Sequence, residues 1–385
     1  MHLPTPPNFS INIILPREDR HLDFFSPKLR TTYSSSLDIM PGMNNRIHPT
    51  LDFKSMPKIE LHAHLSGSIS RQCLHEIWSK KRAAGQTNLE DPLVAMPLDK
   101  HDYDLETFFP LFSSYIYRLV DDADSVLQST ISTIEDFCND GVVYLELRTT
   151  PRALTKEGLD KAAYVDHVLT AVEIAQQQFP SIVVRLILSV DRRNSLSEAM
   201  EVVTLAARFK DRGVVAVDLC GDPTKGDVSL FTPAFQAARA ARLMITIHFA
   251  EAECSSSEPE LETILSWAPN RLGHVIHVPE HIKEKLVSCS GIGLELCLSC
   301  NVQAKMIVGS FDAHHFGEWW QIDGPVVVPC TDDVAVFGSP LSNEWALIQE
   351  HFHLDRNDML KLARKGIDVI FGGDGQKARL REIMW

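Results

Sequence analysis

The sequence predicts an α/β protein folded as a (β/α)8 TIM barrel. Eight short apolar runs recur after residue 57, and each ends in polar residues before a helical stretch begins. The segments 162–178, 195–212 and 259–268 carry apolar residues at steps of three and four, which is typical of amphipathic helices. Near-continuous apolar strands that alternate with helices favour a parallel sheet covered by helices, and eight such units over about 330 residues fit a closed barrel. A doubly wound sheet is the structural alternative.

The predicted strands are unequally spaced along the chain. They span residues 58–62, 142–148, 182–190, 214–219, 244–248, 272–277, 292–298 and 325–330. The first link is roughly 80 residues long and includes a helix-rich stretch over 105–139, with one helix expected over 104–117. Because a long insertion after a barrel strand lies on the catalytic face, we expect a helical lid between strand 1 and strand 2.

Residues 1–54 differ from the rest of the chain. Their repeated prolines and the polar cluster at 31–36 indicate a largely disordered N-terminal extension. The acidic residues Glu18, Asp19, Asp23 and Asp38 argue against a mitochondrial presequence. We therefore expect a single barrel domain over residues 55–385.

Charge and cysteine content exclude several classes of protein. Lys and Arg number 37 against 51 Asp and Glu, a net charge of −14, which argues against a broad basic surface for nucleic acid. No apolar run approaches the roughly 18–20 residues of a membrane span. The eight cysteines are scattered, and Cys297 and Cys300 form a C-x-x-C without a second pair at zinc-ribbon spacing. We expect reduced thiols, a cytoplasmic monomer and a small-molecule substrate.

Imidazoles and a carboxylate collect where the predicted strands end, which is where a barrel builds its function. His62 and His64 close strand 1 as an H-x-H that projects both side chains from the same face. His248 ends strand 5, and Asp332 follows strand 8, the neighbour of strand 1 in a closed barrel. Three imidazoles and one carboxylate with an open position suit Zn²⁺.

Two more residues could act beside such a metal. A bound divalent ion lowers the pKa of water and supplies hydroxide at neutral pH. Glu251 could deliver or remove a proton without binding the metal, and His274 could hold or deprotonate the water. Strand 4 has no lysine of the kind that bridges two metals on such barrels, so we expect one zinc ion per chain. The pattern is that of a metal-dependent hydrolase.

Five segments resemble the adenosine/AMP deaminase family in order and spacing. They are PKIELHAHLSGSI at 57–69, DLCGDP at 218–223, HFAE at 248–251, RLGH at 271–274 and CTDD at 330–333. The resemblance implies an aminohydrolase acting on a cyclic amidine, at C6 of a purine. It implies that the four residues above hold zinc, that Glu251 protonates the purine N1, and that His274 orients and deprotonates the attacking water. It also implies that Asp333 contacts N7 of the purine ring and that the Gly221 backbone contacts N3.

Other segments resemble the adenosine deaminase-like branch, whose members convert N6-methyl-AMP to IMP and methylamine. These are LELRTTPR at 145–152, VDRR at 190–193 and HHFGEWW at 314–320. Adenosine deaminases typically have an aspartate that binds the ribose 5′-OH at the position where this chain has Ser66. A carboxylate that would repel a 5′-phosphate is therefore absent here. Members of the adenosine deaminase-like branch more often have asparagine at this position. The segment HFAE at 248–251 stands where adenosine deaminases usually have HAGE. The turn Thr149–Thr150–Pro151–Arg152 offers hydroxyls, amides and a guanidinium for phosphate.

The candidate substrate-binding set adds one residue in the predicted lid and one at the end of strand 3. The set is His64, Ser66, His101, Thr149, Thr150, Pro151, Arg152, Asp191, Gly221 and Asp333. His277, His314 and His315 are interpreted as structural. Two alternatives stay open: a plain adenosine or adenine deaminase, distinguished by its indifference to the 5′-phosphate, and a non-catalytic nucleoside-binding relative.

Overall fold

The computed structural model describes residues 51–101 and 103–384, and the predicted barrel is confirmed. Eight parallel strands stand side by side in chain order. They are β1 (Lys58–His64), β2 (Val142–Thr149), β3 (Val183–Asp191), β4 (Val214–Cys220), β5 (Met244–Phe249), β6 (Arg271–His274), β7 (Gly293–Leu296) and β8 (Val326–Pro329). Most of the N-terminal extension predicted over 1–54 lies outside the described residues, while Phe53 is buried in the core.

The barrel closes between its last strand and its first. Asp332, just after β8, donates its backbone N–H to the His62 carbonyl at 2.8 Å. The His64 N–H in turn donates to the Asp332 carbonyl at 2.9 Å, and Ala63 pairs with Asp332 in parallel register. A doubly wound sheet has two open edges, whereas a barrel has none. The closure therefore excludes the doubly wound alternative.

Helices cover the outside of the sheet and fill the link between β1 and β2. They are α1 (Leu65–Ser68), α2 (Arg71–Ala83), α3 (Pro92–Ala95), α4 (Leu105–Leu111), α5 (Tyr117–Leu119), α6 (Ala123–Asn139), α7 (Lys161–Gln178), α8 (Leu196–Arg208), α9 (Thr232–Ala240), α10 (Glu258–Ser266), α11 (Glu280–Ser288), α12 (Leu298–Gln303), α13 (Phe316–Trp319), α14 (Val334–Phe337), α15 (Leu341–Phe352), α16 (Arg356–Gly366) and α17 (Gly373–Ile383). The stretches predicted over 162–178, 195–212 and 259–268 correspond to α7, α8 with a 3₁₀ turn, and α10. Across the residues described, no helix is long and apolar enough to cross a membrane.

Side-chain caps explain where the outer helices begin. The Asp160 carboxylate accepts the Ala163 N–H at 2.8 Å at the start of α7. At the start of α8, Ser195 and Glu198 form a capping box, in which each side chain accepts the other residue's backbone N–H. Such caps typically stabilise a helix by about 1 kcal/mol, so these boundaries were accessible from the sequence.

The link between β1 and β2 contains α1 to α6, and the helix expected over 104–117 is present as an unbroken helical stretch over residues 105–119 that includes a π-helical turn. The α-helix α4 contains Pro110 and ends at Leu111, and a π-helical turn, Phe112–Ile116, follows before α5. Proline has no N–H to donate to the preceding turn, so it interrupts the helical ladder. Single π-helical turns occur frequently at functional sites, and this one adjoins the cavity described below.

Candidate active site

The four predicted metal ligands lie together at the carboxyl ends of β1, β5 and β8. His248 Nε2 lies 3.2 Å from His62 Nε2 and 3.1 Å from His64 Nε2. Asp332 Oδ1 lies 3.5 Å from His62 Nε2 and 3.3 Å from His64 Nε2. Bonds of about 2.0–2.1 Å to a tetrahedral zinc ion would separate neighbouring donor atoms by about 3.3–3.4 Å. Four of the donor–donor distances lie close to this spacing and all four atoms lie within 4.8 Å of one another, so the donor set can hold a metal such as zinc.

Buried carboxylates hold two of the imidazoles in the orientation that a metal ligand needs. His62 Nδ1 donates to Glu295 Oε2 at 2.7 Å, and His248 Nδ1 donates to Asp218 Oδ1 at 3.1 Å. Each Nδ1 therefore carries the proton, and each Nε2 presents its lone pair to the cluster. Burial lowers the pKa of His64 well below its usual value, although Asp332 opposes the shift. A neutral imidazole is the form that binds a metal.

Two buried arginines keep those carboxylates charged. Arg148 lies 2.8 Å from Glu295 and 3.4 Å from Asp218, while Arg271 lies 2.5 Å from Glu295. Burial alone would raise the pKa of Glu295, but Arg148 and Arg271 hold it well below its usual value. Glu295 is missing from the sequence prediction, although a glutamate inside the apolar run 292–298 is a detectable signal, because a buried charge requires a partner.

The thiol of Cys300 contacts the carboxylate of Asp332. Cys300 Sγ lies 2.8 Å from Asp332 Oδ2, the oxygen that does not face His62 and His64. Burial raises the pKa of Cys300 well above its usual value, and Asp332 adds to the shift, so the group stays a thiol and donates. Cys297 and Cys300 are both free. Cys300 therefore supports Asp332, a predicted metal ligand, and the C-x-x-C forms no disulfide.

Glu251 and His274, the predicted catalytic pair, face the metal ligands from β5 and β6. His274 Nε2 lies 3.8 Å from Glu251 Oε1 and 3.9 Å from Asp332 Oδ2. Burial raises the pKa of Glu251 to about 7, although His248 opposes it. Near neutral pH, Glu251 can therefore carry the proton that a general acid donates.

The backbone is strained where these side chains enter the site. His274 has φ 63° and Asp332 has φ 64°, in the left-handed region that side chains other than glycine rarely adopt. Each such residue costs on the order of 1–3 kcal/mol and persists only where the surroundings impose it. These left-handed residues lie at the end of β6 and just after β8, where His274 and Asp332 join the cluster.

Asp333 presents a buried carboxyl group to the cavity beside Glu251 and the predicted metal ligands. Within the described chain, its Oδ1 atom has no hydrogen-bond partner. Burial, together with Asp332 and Glu251, raises the pKa of Asp333 well above its usual value, so the group is protonated and can donate. A Cβ atom on Gly67 would lie 1.5 Å from Asp333 Oδ1. Only glycine at position 67 leaves room for this carboxyl group.

One cavity joins these groups. It is lined by His64, Ser66, Phe108, Phe109, Phe112, Ser113, Tyr117, Arg148, Thr149, Thr150, Asp191, Arg193, Cys220, Gly221, His248, Glu251, Asp332 and Asp333. Most of the predicted substrate-binding residues are among them. The β1–β2 link adds an aromatic wall that the sequence prediction missed, although the run FFPLFSSYIY at 108–117 is unusually aromatic for a connection.

Three predicted substrate-binding residues do not line this cavity. Arg152 donates to the Tyr164 hydroxyl at 2.9 Å and to the Val120 carbonyl at 2.8 Å, and its guanidinium stacks on the rings of Tyr117 and Tyr164. Pro151 is buried beside it. His101 Nδ1 lies 3.3 Å from the Val336 carbonyl, against the loop after α14. Arg152, Pro151 and His101 therefore pack against other residues of the protein and do not line the cavity.

Two arginines line the cavity: Arg148, which is fully buried and paired with Glu295 and Asp218, and Arg193, which is partly exposed. The Nε and Nη2 atoms of Arg193 donate to the two oxygens of Asp191 at 2.8 and 2.6 Å. A Cβ atom on Gly221, whose φ is +97°, would lie 2.9 Å from the Asp191 carboxylate, so glycine leaves space for the pair. The Nη1 atom of Arg193 has no hydrogen bond to any described residue. The sequence motif VDRR contained this residue but did not distinguish it from Arg192, which pairs with Glu260 at 2.6 Å.

Comparisons with known proteins agree with this site. The sequence matches the family described as adenosine deaminase over residues 57–384. It is 36% identical to the N6-mAMP deaminase of Arabidopsis thaliana over 351 residues, which cover 86% of this chain and 96% of the relative.

Solved structures give the same result. The crystal structure of Arabidopsis N6-mAMP deaminase matches with a TM-score of 0.79 at 38% identity, covering 86% of this chain and 98% of that chain. The structure of Arabidopsis ADAL complexed with IMP matches with a TM-score of 0.78 at 36% identity, covering 86% and 97%. With this fold, this site and a family match over most of its length, the chain belongs to the adenosine deaminase family.

Proposed function

We propose that this chain is a zinc-dependent hydrolytic deaminase that converts N6-methyl-AMP to IMP and methylamine. The observation that carries the proposal is a cluster of three imidazoles and one carboxylate next to two buried carboxyl groups with raised pKa values, Glu251 and Asp333. Similar proteins named N6-mAMP deaminase support the choice of substrate. The presence of every ligand and of Glu251 disfavours a non-catalytic relative.

His62, His64, His248 and Asp332 would hold one zinc ion, because their four donor atoms lie within 4.8 Å of one another. Zinc, when bound, lowers the pKa of water and so supplies hydroxide near neutral pH. Strand β4 reads VVAVDLC and has no lysine to bridge a second metal, which supports a count of one.

The chain's own residues would bind and polarise the purine ring. Protonated Glu251 donates to N1, which makes C6 more electrophilic and draws the attacking oxygen to it. Protonated Asp333 donates to N7, and the Gly221 backbone meets N3. His274 orients the attacking oxygen from the far side of the cluster. The departing group is methylamine, which leaves a carbonyl at C6 and hence IMP.

The phosphate end of the substrate would lie at Arg193, Thr150 and Ser66. Arg193 has two N–H donors free on Nη1 within the described part of the chain, while Thr150 and Ser66 line the cavity. Ser66 is uncharged and adds no repulsion to a phosphate. We place the cation at Arg193 rather than at Arg152, because Arg152 is already bonded on both of its terminal nitrogens.

A substrate comparison tests the function. Purified protein is incubated with adenosine, AMP and N6-methyl-AMP at equal concentrations, and inosine or IMP is followed by chromatography. We expect both monophosphates to react faster than adenosine, since the cavity lacks a carboxylate at position 66 and offers Arg193 to the phosphate. We expect N6-methyl-AMP to react faster than AMP, because the similar proteins are named N6-mAMP deaminase. Faster turnover of adenosine would favour the plain adenosine deaminase instead.

Replacement of Arg193 tests the phosphate contact. We expect Arg193→Gln to lower kcat/KM for the monophosphate while leaving any nucleoside activity unchanged. A charge-assisted hydrogen bond is worth about 1.5–3 kcal/mol, or 10- to 150-fold. Because this side chain is 53% exposed, solvent screening places the loss near about 10-fold. Arg212→Gln, which removes an ion-paired arginine outside the cavity, is the matched control. Equal losses on both substrates would contradict the assignment.

A cytoplasmic location is inferred from the thiols. All eight cysteines are free, and Cys73, Cys220, Cys297, Cys300 and Cys330 are buried. Free thiols are typical of reducing compartments. The monomeric state and the absence of nucleic-acid and membrane partners stay predictions.

A further inference from the structure

The hydrogen-bond partners of His274 determine which of its ring nitrogens carries the proton. Its Nε2 atom is buried and, across the described residues, has no hydrogen-bond partner. Its Nδ1 atom lies 2.9 Å from Nδ2 of Asn301, a fully buried residue on α12. An amide can present either its oxygen or its nitrogen to an imidazole. The tautomer of His274 therefore depends on what fixes the Asn301 amide.

His314 fixes that amide. Its Nδ1 atom lies 3.0 Å from the backbone nitrogen of Phe316, and a backbone N–H can only donate, so Nδ1 is an acceptor. Burial lowers the pKa of His314 well below its usual value, and the neighbouring His315 and His274 add to the shift. The ring is therefore neutral, and its one proton is on Nε2.

The order of donors and acceptors then follows along the chain of side chains. His314 Nε2 donates to Asn301 Oδ1 across 3.1 Å. With its oxygen so occupied, Asn301 must present its NH₂ group to His274, where Nδ1 accepts. The proton of a neutral His274 is consequently on Nε2. One backbone amide, that of Phe316, thus sets the orientation of three buried side chains.

The backbone of His274 is held from the same segment. His315 Nε2 lies 2.6 Å from the His274 carbonyl oxygen and donates to it. This bond restrains a residue whose φ is 63°, so the ring and its peptide are fixed together. The segment containing His314, His315 and Phe316 is the HHFGEWW motif, whose histidines were interpreted from sequence as structural.

We propose that Asn301 and His314 are positioning residues that hold His274 as the Nε2–H tautomer, so that His274 donates a hydrogen bond to the attacking oxygen. The proposal rests on the function above and refines it: in this tautomer the nitrogen nearest Glu251 and Asp332 has no lone pair with which to accept a proton. His274 aligns the oxygen, and its role in deprotonating water, implied by the family resemblance, is not needed.

The wild-type tautomer can be measured without any substrate. In zinc-loaded protein labelled with ¹⁵N-histidine, we expect the His274 Nε2 resonance to be that of a protonated nitrogen and Nδ1 that of an unprotonated one. The signals are assigned by their loss in His274→Gln. An Nδ1-protonated His274 would overturn the proposal whatever the substrate proves to be, whereas a failed substrate test would leave this measurement intact.

Asn301→Asp reverses the tautomer with almost no change in shape. A carboxylate only accepts, so His274 must then donate from Nδ1, and Nε2 loses its proton. We expect the Nε2 resonance to move to the unprotonated range and kcat to fall by about 10²–10³-fold, the typical loss for one missing donor, with KM changed only a few-fold. Zinc content and the unfolding midpoint show whether the variant is folded.

His277→Gln is the matched control. His277 lies close to the same loop and contacts the Met306 carbonyl at 3.1 Å, outside the Asn301–His314 chain. We expect wild-type kcat and an unchanged His274 spectrum. If Asn301→Asp folds, binds zinc and keeps the wild-type kcat, the positioning role is refuted. If it fails to fold, Asn301→Ser, which removes the amide without adding charge, replaces it and should show the same loss of kcat without a change in KM.

Discussion

His62→Ala, His248→Ala and Asp332→Ala should each abolish purine deamination together with zinc binding. Each removes one of four donor atoms that lie within 4.8 Å of one another, with four of their separations between 3.1 and 3.5 Å. A metal ion supplies several kcal/mol of stabilisation to the transition state, so we expect activity to fall by more than about 10³-fold. The measurement is elemental analysis of each purified variant alongside its turnover of N6-methyl-AMP.

His281→Ala is the control for those variants. His281 is about half exposed and lies 3.4 Å from Glu258, away from the cavity. It should keep full zinc and full activity. Full zinc occupancy in all three ligand variants would show that the zinc is held by other residues.

Glu251→Gln should keep zinc and the fold but lose most turnover. Glutamine has the shape of glutamate and cannot donate a carboxyl proton to N1, and general acid–base groups typically contribute about 10²–10⁴-fold. Because burial raises the pKa of Glu251 to about 7, the wild-type acid is protonated below neutral pH and is lost as the pH rises through that value. The readouts are kcat, zinc content and the unfolding midpoint.

Glu258→Gln serves as the matched control, since Glu258 is an exposed glutamate at the start of α10. It should match the wild type in all three measurements. Turnover of Glu251→Gln within a few-fold of wild type would assign the proton donor to another group.

The barrel and the convergence of the four candidate metal ligands could be predicted because both depend on local patterns. Apolar runs at regular intervals specify the strands, and parallel strands bring their carboxyl ends to one face, so His62, His248 and Asp332 had to converge. No such pattern distinguishes Arg152 from Arg193 as the candidate phosphate-binding arginine. Both follow a strand end by two or three residues, and only the folded β1–β2 link decides the outcome, because Tyr117 from that link stacks on Arg152.

Contacts between distant segments account for the rest of what sequence missed. The π-helical turn, Phe112–Ile116, depends on how a proline-containing helix meets the barrel. The bond between Asn301 and His314 joins a helix after β7 to a loop that precedes β8, and no periodicity in the sequence marks such a pair. Glu295 is recognisable as a buried charge, but its partners Arg148 and Arg271 come from two other strands.

The closure of the barrel at Asp332 would make a bound metal ion part of the architecture. Two backbone hydrogen bonds join Asp332 to β1, whereas β7 and β8 pair over four register positions. An ion held by His62 and His64 on one side and Asp332 on the other would bridge this short junction between β1 and the segment after β8. Anything that binds only the folded state stabilises it in proportion to the logarithm of its free concentration. The stability of the junction between β8 and β1 would therefore depend on the free zinc concentration. Without the ion, the barrel would open first at this junction.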